Sequence, residues 1–189
     1  VSEVYGIVNA AIEDLVVSTH GESTWEAIRE RVGLTMPTFV TTEDYPDELT
    51  YALVGAVAET LNAPPEEVLR LFGRHWITYT AKQGYGDLLK FVGHDIREFL
   101  ANIDLIHAHV ASSMPGLRTP TLELEDGEDG SYIIHYRSPR KGLAPMLFGL
   151  LEGIGEMFSV ELEITQRDRL CDGADHDVFV VRLLSEVSS

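Results

Sequence analysis

The spacing of apolar residues changes period along this chain, and that change restricts the fold more than any other feature. Up to about residue 112 the apolar side chains recur every three or four positions, as they do along one face of a helix. Pro115-Gly116 and Pro120 then act as breakers, after which Thr121-Leu122-Glu123-Leu124-Glu125 alternates with period two, as a half-buried strand does. A turn over Asp126-Gly127-Glu128-Asp129-Gly130 leads to an answering strand from Ser131 to Ser138. Helical spacing returns from Gly142 to Phe158, with Leu143, Leu147, Leu150, Leu151, Ile154 and Phe158 on one stripe. Val160–Thr165 and Asp177–Leu184, rich in branched residues, form a second hairpin. Helices first, then two hairpins flanking one helix, predict an α+β fold with an antiparallel sheet of four strands.

The helical part divides at its caps and breakers. Val8, Ile12, Leu15 and Val16 predict a helix over Tyr5–Val17, and Ser23-x-x-Glu26 reads as a capping box opening a second helix that ends at Gly33. Pro37 to Pro46 reads as a loop. Asp47 begins a helix whose inner face carries Tyr51, Val54, Val57, Ala58 and Leu61, and Pro64-Pro65-Glu66-Glu67 starts the next, which runs to about Thr80. Gly84-Tyr85-Gly86 punctuates the chain before a short helix to about Val92 and a longer one over Asp95–Ser112.

Charge and cysteine content narrow the function classes. The 189 residues carry 31 acidic against 14 basic side chains, a net charge of −17, which opposes binding to a nucleic-acid backbone or an anionic membrane. Cys171 is the only cysteine, so no internal disulfide and no cysteine-rich zinc site can form, as expected of a cytoplasmic protein. Val1-Ser2-Glu3-Val4 lacks the character of a signal peptide, and no apolar run reaches membrane-spanning length.

Within the Asp95–Ser112 helix, Ile96, Phe99, Leu100, Ile103, Ile106 and Val110 form the apolar stripe. His107 lies on that stripe and faces inward, whereas His109, two residues round, faces water. An imidazole so placed serves either as a hydrogen-bonded core residue or as a metal ligand, and spacing alone does not choose. Some thirty residues later, Tyr136, Ser138 and Arg140 stand two apart, on one face of an extended strand. Arg140 presents a planar fork matched to a carboxylate, and the two hydroxyls add further donors. The alternative is an edge strand with ordinary polar residues.

Together these features resemble the H-NOX (haem nitric oxide/oxygen-binding) domain family. Tyr136-x-Ser138-x-Arg140 is similar to its haem-propionate motif, and Asn102-Ile103-Asp104-Leu105-Ile106-His107 to the stretch carrying its proximal histidine. Tyr5-Gly6-Ile7-Val8-Asn9, Thr24-Trp25-Glu26, Phe72-Gly73, Tyr79-Thr80 and Gly142-Leu143 through Gly149-Leu150 continue the resemblance in collinear order. It extends to stand-alone bacterial and cyanobacterial members and to the haem domain of soluble guanylate cyclase.

The resemblance implies a single domain over 1–189. A helical distal lobe would span approximately 1–63 and a sheet-containing proximal lobe 64–189, with haem b between them. It implies His107 as the protein ligand to ferrous iron and Pro120 as the residue that presses on the porphyrin. Matching back from Phe148-Gly149-Leu150 sets Met146 where dioxygen-binding members carry a tyrosine. A thioether offers no donor, so the expectation is nitric oxide and carbon monoxide binding with dioxygen excluded. Trp76 shares its helix's inner stripe with Phe72 and Tyr79 and serves either as packing or as a donor to the pocket. Some relatives hold zinc near the carboxy terminus, but Cys171-Asp172-Gly173-Ala174-Asp175-His176 has one cysteine and reads as a tight turn.

The implied mechanism is a binding switch without catalysis: nitric oxide weakens the iron–His107 bond, the strain from Pro120 relaxes and the lobes move. The implied partner is a signalling protein, a histidine kinase or cyclic-dinucleotide enzyme in bacteria and guanylate cyclase in animals. An end at Ser189 points to the free-standing bacterial form. The rival readings are a dioxygen-binding H-NOX or haem enzyme activating dioxygen, and an acidic adaptor without a cofactor.

Overall fold

The computed structural model describes residues 3–114 and 117–186. The expectations resting on Val1-Ser2 and on the Pro115-Gly116 breaker lie outside the described residues.

The chain opens with β1 (Glu3–Tyr5), α1 (Gly6–His20) and α2 (Glu22–Val32). β2 (Asp44–Pro46), α3 (Asp47–Leu61) and α4 (Pro65–Thr80) follow. Asp47 and Pro65 start their helices at the expected positions, and Asn62 in the left-handed conformation stops α3. Three expectations change. Gly21 caps α2, with no side-chain cap bond, and Glu26 turns to Arg29 instead of closing a capping box with Ser23. Tyr51 is half exposed, because the buried face of α3 runs through Leu53, Ala56 and Val57. The end of the Pro37–Pro46 loop forms β2, which pairs antiparallel with β1 through Val4 and Tyr45. Strands of three residues are too short for alternation to reveal them.

A π-helical segment, Ala81–Tyr85, kinks at Gly84 (φ 95°), a conformation natural to glycine. It leads into α5 (Gly86–Val92) and α6 (Ile96–Ser113). The Asp95 side chain caps α6 by accepting the Glu98 backbone N–H at 2.8 Å. β3 (Thr121–Asp126), β4 (Tyr132–Arg137), α7 (Ala144–Met157), β5 (Val160–Asp168) and β6 (Asp177–Glu186) complete the chain. The four strands make an antiparallel sheet of order β3-β4-β6-β5, so the two predicted hairpins join along β4 and β6.

Two cores result. Ile12, Val16, Trp25, Ile28, Leu53 and Val57 of α1 to α3 pack with Phe72 of α4. Phe99 and Leu100 of α6 pack with Ile134, Leu147, Leu151 and Phe179 from the sheet and α7. Full burial of each such side chain contributes about 1.5–3 kcal/mol. α4 serves both cores, with Phe72 and Tyr79 in the first and Ile77 in the second. It crosses α7 at backbone contact: a Cβ on Gly73 would meet the Met146 carbonyl oxygen, and one on Gly149 the Arg70 carbonyl oxygen. Ion pairs Arg70–Glu152 and Arg74–Glu156 flank the crossing, with the Arg70 guanidinium 4.5 Å above the Phe148 ring. Among the described residues no helix is long and apolar enough to cross a membrane.

Candidate functional site

α6 carries His107, and its apolar stripe is not evenly covered. Ile96, Phe99 and Leu100 are buried in the second core, whereas Ile103, Ile106 and Val110 are only partly covered. His107 shares this looser end, and a quarter of its side chain is accessible, so it is half-buried and not sealed in the core. His109 is exposed, as its spacing requires. The ring has two hydrogen-bonding partners. Nδ1 lies 3.3 Å from Asp104 Oδ1, one turn earlier on the helix, and the Pro120 carbonyl accepts a hydrogen bond from the ring. Burial lowers the imidazole pKa below its ordinary value, against the opposing pull of Asp104 and the Pro120 bond. A neutral, oriented imidazole is the form that can offer a lone pair to a metal.

Pro120 lies just ahead of β3, with its carbonyl beside the His107 ring. Asp104 was visible in the sequence at i−3 from His107. Its spacing is the signal by which the partner could have been found.

Tyr136, Ser138 and Arg140 do come together, but not along one extended strand. β4 ends at Arg137, so only Tyr136 projects from the strand, and Ser138 and Arg140 occupy the bend after it. Proline at 139 lacks the N–H that a further ladder bond would need. Ser138 Oγ accepts the Arg140 backbone N–H at 3.1 Å and bonds the Tyr136 phenol, so the bend is held by its own side chains. Burial pushes the Tyr136 phenol above its ordinary pKa, which keeps it protonated and able to donate.

The Arg140 guanidinium already holds a carboxylate. Nε and Nη2 donate to Asp47 Oδ2 and Oδ1 at 2.9 and 3.1 Å, Nη2 donates to the Glu3 carbonyl at 2.7 Å, and Nη1 to the Arg118 carbonyl at 3.2 Å. Asp47 opens α3 and is nearly buried, so this fork ties the bend after β4 to the helical lobe. A contact 93 residues apart in sequence leaves no local pattern, and sequence reasoning missed it. Beside these groups lies a cavity of about 170 Å³ lined by Tyr136, Ser138, Arg140, Asp175, His176 and Asp177.

Trp76 and Met146 come from different helices, α4 and α7, yet both pack on the first core. The indole lies against Phe72 and Tyr79, with ring centroids 5.7 and 6.3 Å apart. The structure thus gathers the candidate residues into three groups: His107 with Pro120, Tyr136 with Ser138 and Arg140, and Trp76 with Met146. Cys171 stays apart, exposed in a single 3₁₀ turn over Leu170–Asp172. Among the described residues, no three His, Cys, Asp or Glu side chains are grouped to hold a metal.

A neutral imidazole on an apolar helix face, with an arginine fork and two hydroxyls to receive carboxylates, is a donor set that fits haem. The fold is a two-core α+β architecture that carries these donors. The chain belongs to the haem-NO-binding family, the H-NOX domains, whose pattern it matches over residues 5–166. It is 27% identical over 195 residues to soluble guanylate cyclase gcy-32 of Caenorhabditis elegans, covering 96% of this chain and 28% of that protein. It spans about a quarter of the length of the guanylate cyclases it matches. Its fold superposes on a triple mutant of an H-NOX protein from S. oneidensis in the Fe(II) state with a TM-score of 0.89 at 24% identity, over 98% of this chain and 100% of that one. For an H-NOX protein from S. oneidensis in the Fe(II)NO state the TM-score is 0.86 at 24% identity, over 96% of this chain and 100% of that one.

Proposed function

We propose that this domain senses diatomic gases through haem b held by His107, binding nitric oxide and carbon monoxide and excluding dioxygen. The observation that carries the reading is the His107 ring, kept neutral by burial and aimed by Asp104 and the Pro120 carbonyl at the loosely covered end of the α6 stripe. When bound, haem would supply iron able to take a diatomic gas.

The chain's own residues do the rest. Arg140, Ser138 and Tyr136 would receive the cofactor's carboxylates, Arg140 by giving up part of its bidentate hold on Asp47, which is the same chemistry on a protein carboxylate. Met146 and Trp76 belong to the first core. The Met146 thioether donates no hydrogen bond, and a bound dioxygen, unlike nitric oxide, needs a donor for the charge it takes on.

His107 is bonded to Pro120, so the ring, the end of α6 and the entry to β3 shift together. Exchange of Arg140 between Asp47 and a cofactor carboxylate would couple the bend after β4 to α3. A division near residues 63 and 64 allows the helical lobe to move as a body. A signalling partner that prefers one lobe arrangement reads the gas, in the manner of a histidine kinase, a cyclic-dinucleotide enzyme or a cyclase region. The domain is a switch and carries out no catalysis itself.

Absorption spectra of the reduced protein alone, in air, with carbon monoxide and with nitric oxide test this reading. The expected result is an air-insensitive ferrous spectrum with shifts for the other two gases. His107→Gly should lose haem unless imidazole is supplied, which restores it. Unchanged iron ligation in that variant would refute the assignment, and a stable dioxygen complex would establish the dioxygen-binding alternative.

A further inference from the structure

The four-stranded sheet ends differently at its two edges. At one edge, α6 packs against β3, and the Arg97 guanidinium holds Asp126 at the end of that strand. At the other, β5 pairs with β6 on one side, and no strand pairs with its other side among the described residues. Alternate residues of an antiparallel edge strand point their N–H and C=O groups outward, which makes a bare edge a template for another strand. Lysine and proline are common guards against such pairing, and Val160–Asp168 contains neither.

The irregularities of β5 fix where a second strand fits. Its ladder with β6 shifts register between Glu161 and Leu162 and again between Gln166 and Asp168, so Leu162–Gln166 is the regular stretch and Ile164 its midpoint. Ile164 is also the midpoint of the whole strand. An antiparallel copy of β5 turned about a two-fold axis at Ile164 therefore sets regular stretch against regular stretch. Opposed residues then differ by an even number, so inward side chains meet inward ones and outward meet outward. On the outer face, Glu161 stands opposite Arg167 of the second copy, and Glu163 opposite Thr165, so no like charges meet. Arg167 is at present paired with the adjacent Asp168 at the surface. An axis one residue earlier would oppose Glu163 to itself, and one residue later would set Leu162 against Asp168.

The inner face of this edge is also unfinished. Val160, Leu162 and Ile164 are each only partly covered, and Leu183, which pairs with Leu162, is 41% exposed. Val160 and Leu162 line a cavity of about 170 Å³ with Arg74, Glu152 and Glu156. Residues 161–169 carry three acidic and two basic side chains, so the strand is nearly neutral in a chain of net charge −17. A second copy approaching there meets no block of like charge.

We propose that β5 is a self-association edge, at which two copies of this chain pair their β5 strands antiparallel about Ile164 and join their sheets into one of eight strands. The contact is one strand wide, at the low end of specific interfaces, so the dimer is weak and concentration-dependent. Neither His107 nor the bend after β4 takes part, and association does not depend on haem.

Sedimentation equilibrium of the tag-free full chain, together with disulfide trapping, tests the proposal. The expected result is reversible conversion of a 21.0 kDa species to one of twice that mass as concentration rises. Arg167→Glu turns two attractive cross-strand pairs into repulsive ones and should weaken the dimer about tenfold, and adding Glu161→Arg should restore it. In a Cys171→Ser background, Glu163→Cys mixed with Thr165→Cys should give a disulfide-linked dimer, and neither variant alone should do so. Opposed residues of an antiparallel pair lie about 4.5–5.5 Å apart at Cα, within disulfide reach. Residues 161, 163, 165 and 167 are all exposed, so these substitutions leave the fold intact. The proposal is overturned if the 21.0 kDa species persists at millimolar concentration, or if the mixed cysteine variants cross-link no better than each alone. A dimer that Arg167→Glu leaves unchanged, or that the charge exchange does not restore, lies on another face and equally overturns it.

Discussion

At the scale of single residues, the side chains that matter most are those whose partners force a protonation state. Burial lowers the His107 pKa, so the folded protein holds this ring neutral at pH values where the unfolded chain, with an ordinary histidine near 6.5, takes up a proton. The resulting stability is fully present above about pH 6.5 and is lost as pH falls through the lower, folded value. Urea unfolding midpoints between about pH 7.5 and 5 should therefore drop less steeply in His107→Gln than in the parent. Arg140 is a second such residue, because its fork serves Asp47 and two backbone carbonyls at once. Arg140→Lys keeps the charge and loses the fork, and should cost about 2 kcal/mol in chemical denaturation. The position of His107 was legible from the helical stripe, and so was that of Asp104. The Asp47 partner of Arg140 was not, because hydrogen bonding across 93 residues has no periodicity.

Among the elements, the crossing of α4 and α7 sets the geometry on which both cores depend. Gly73 and Gly149 permit backbone contact, and neither helix can turn there without opening a gap. Gly149→Ala sets a methyl group against the Arg70 carbonyl, and overpacking of this kind costs about 1–3 kcal/mol. A lowered melting temperature with unchanged helix content by circular dichroism is the expected outcome. In sequence, both glycines lie inside helical patterns, where local spacing gives them no purpose. Their purpose emerges only when the two helices meet. The end of β4 is the reverse case: the pattern Tyr136-x-Ser138-x-Arg140 suggested continued extension, and Pro139 with the Ser138 hydroxyl bond turns it into a bend.

For the whole molecule, charge and core layout act together. A net charge of −17 is balanced locally by pairs such as Arg97–Asp126 and Arg182–Asp129, but most carboxylates face solvent and repel one another. Screening that repulsion should raise the melting temperature between about 10 and 150 mM salt, where the Debye length shrinks from about 30 to 8 Å. A flat or falling salt dependence would mean that the surface ion pairs outweigh the excess charge. The two cores share α4, and the Arg140–Asp47 pair ties the bend after β4 to α3, so the helical lobe and the sheet are joined at two places.

Periodicity alone carried the element order, the hairpins, the α+β class and the inward face of His107, because helix and strand periods are local properties of the chain. Only the folded chain decided how much of His107 is covered, that Pro120 reaches it through a carbonyl, and that Arg140 holds Asp47. These are pairings of distant residues, set by how helices and sheet pack, and packing is a property of the whole chain that no local pattern encodes.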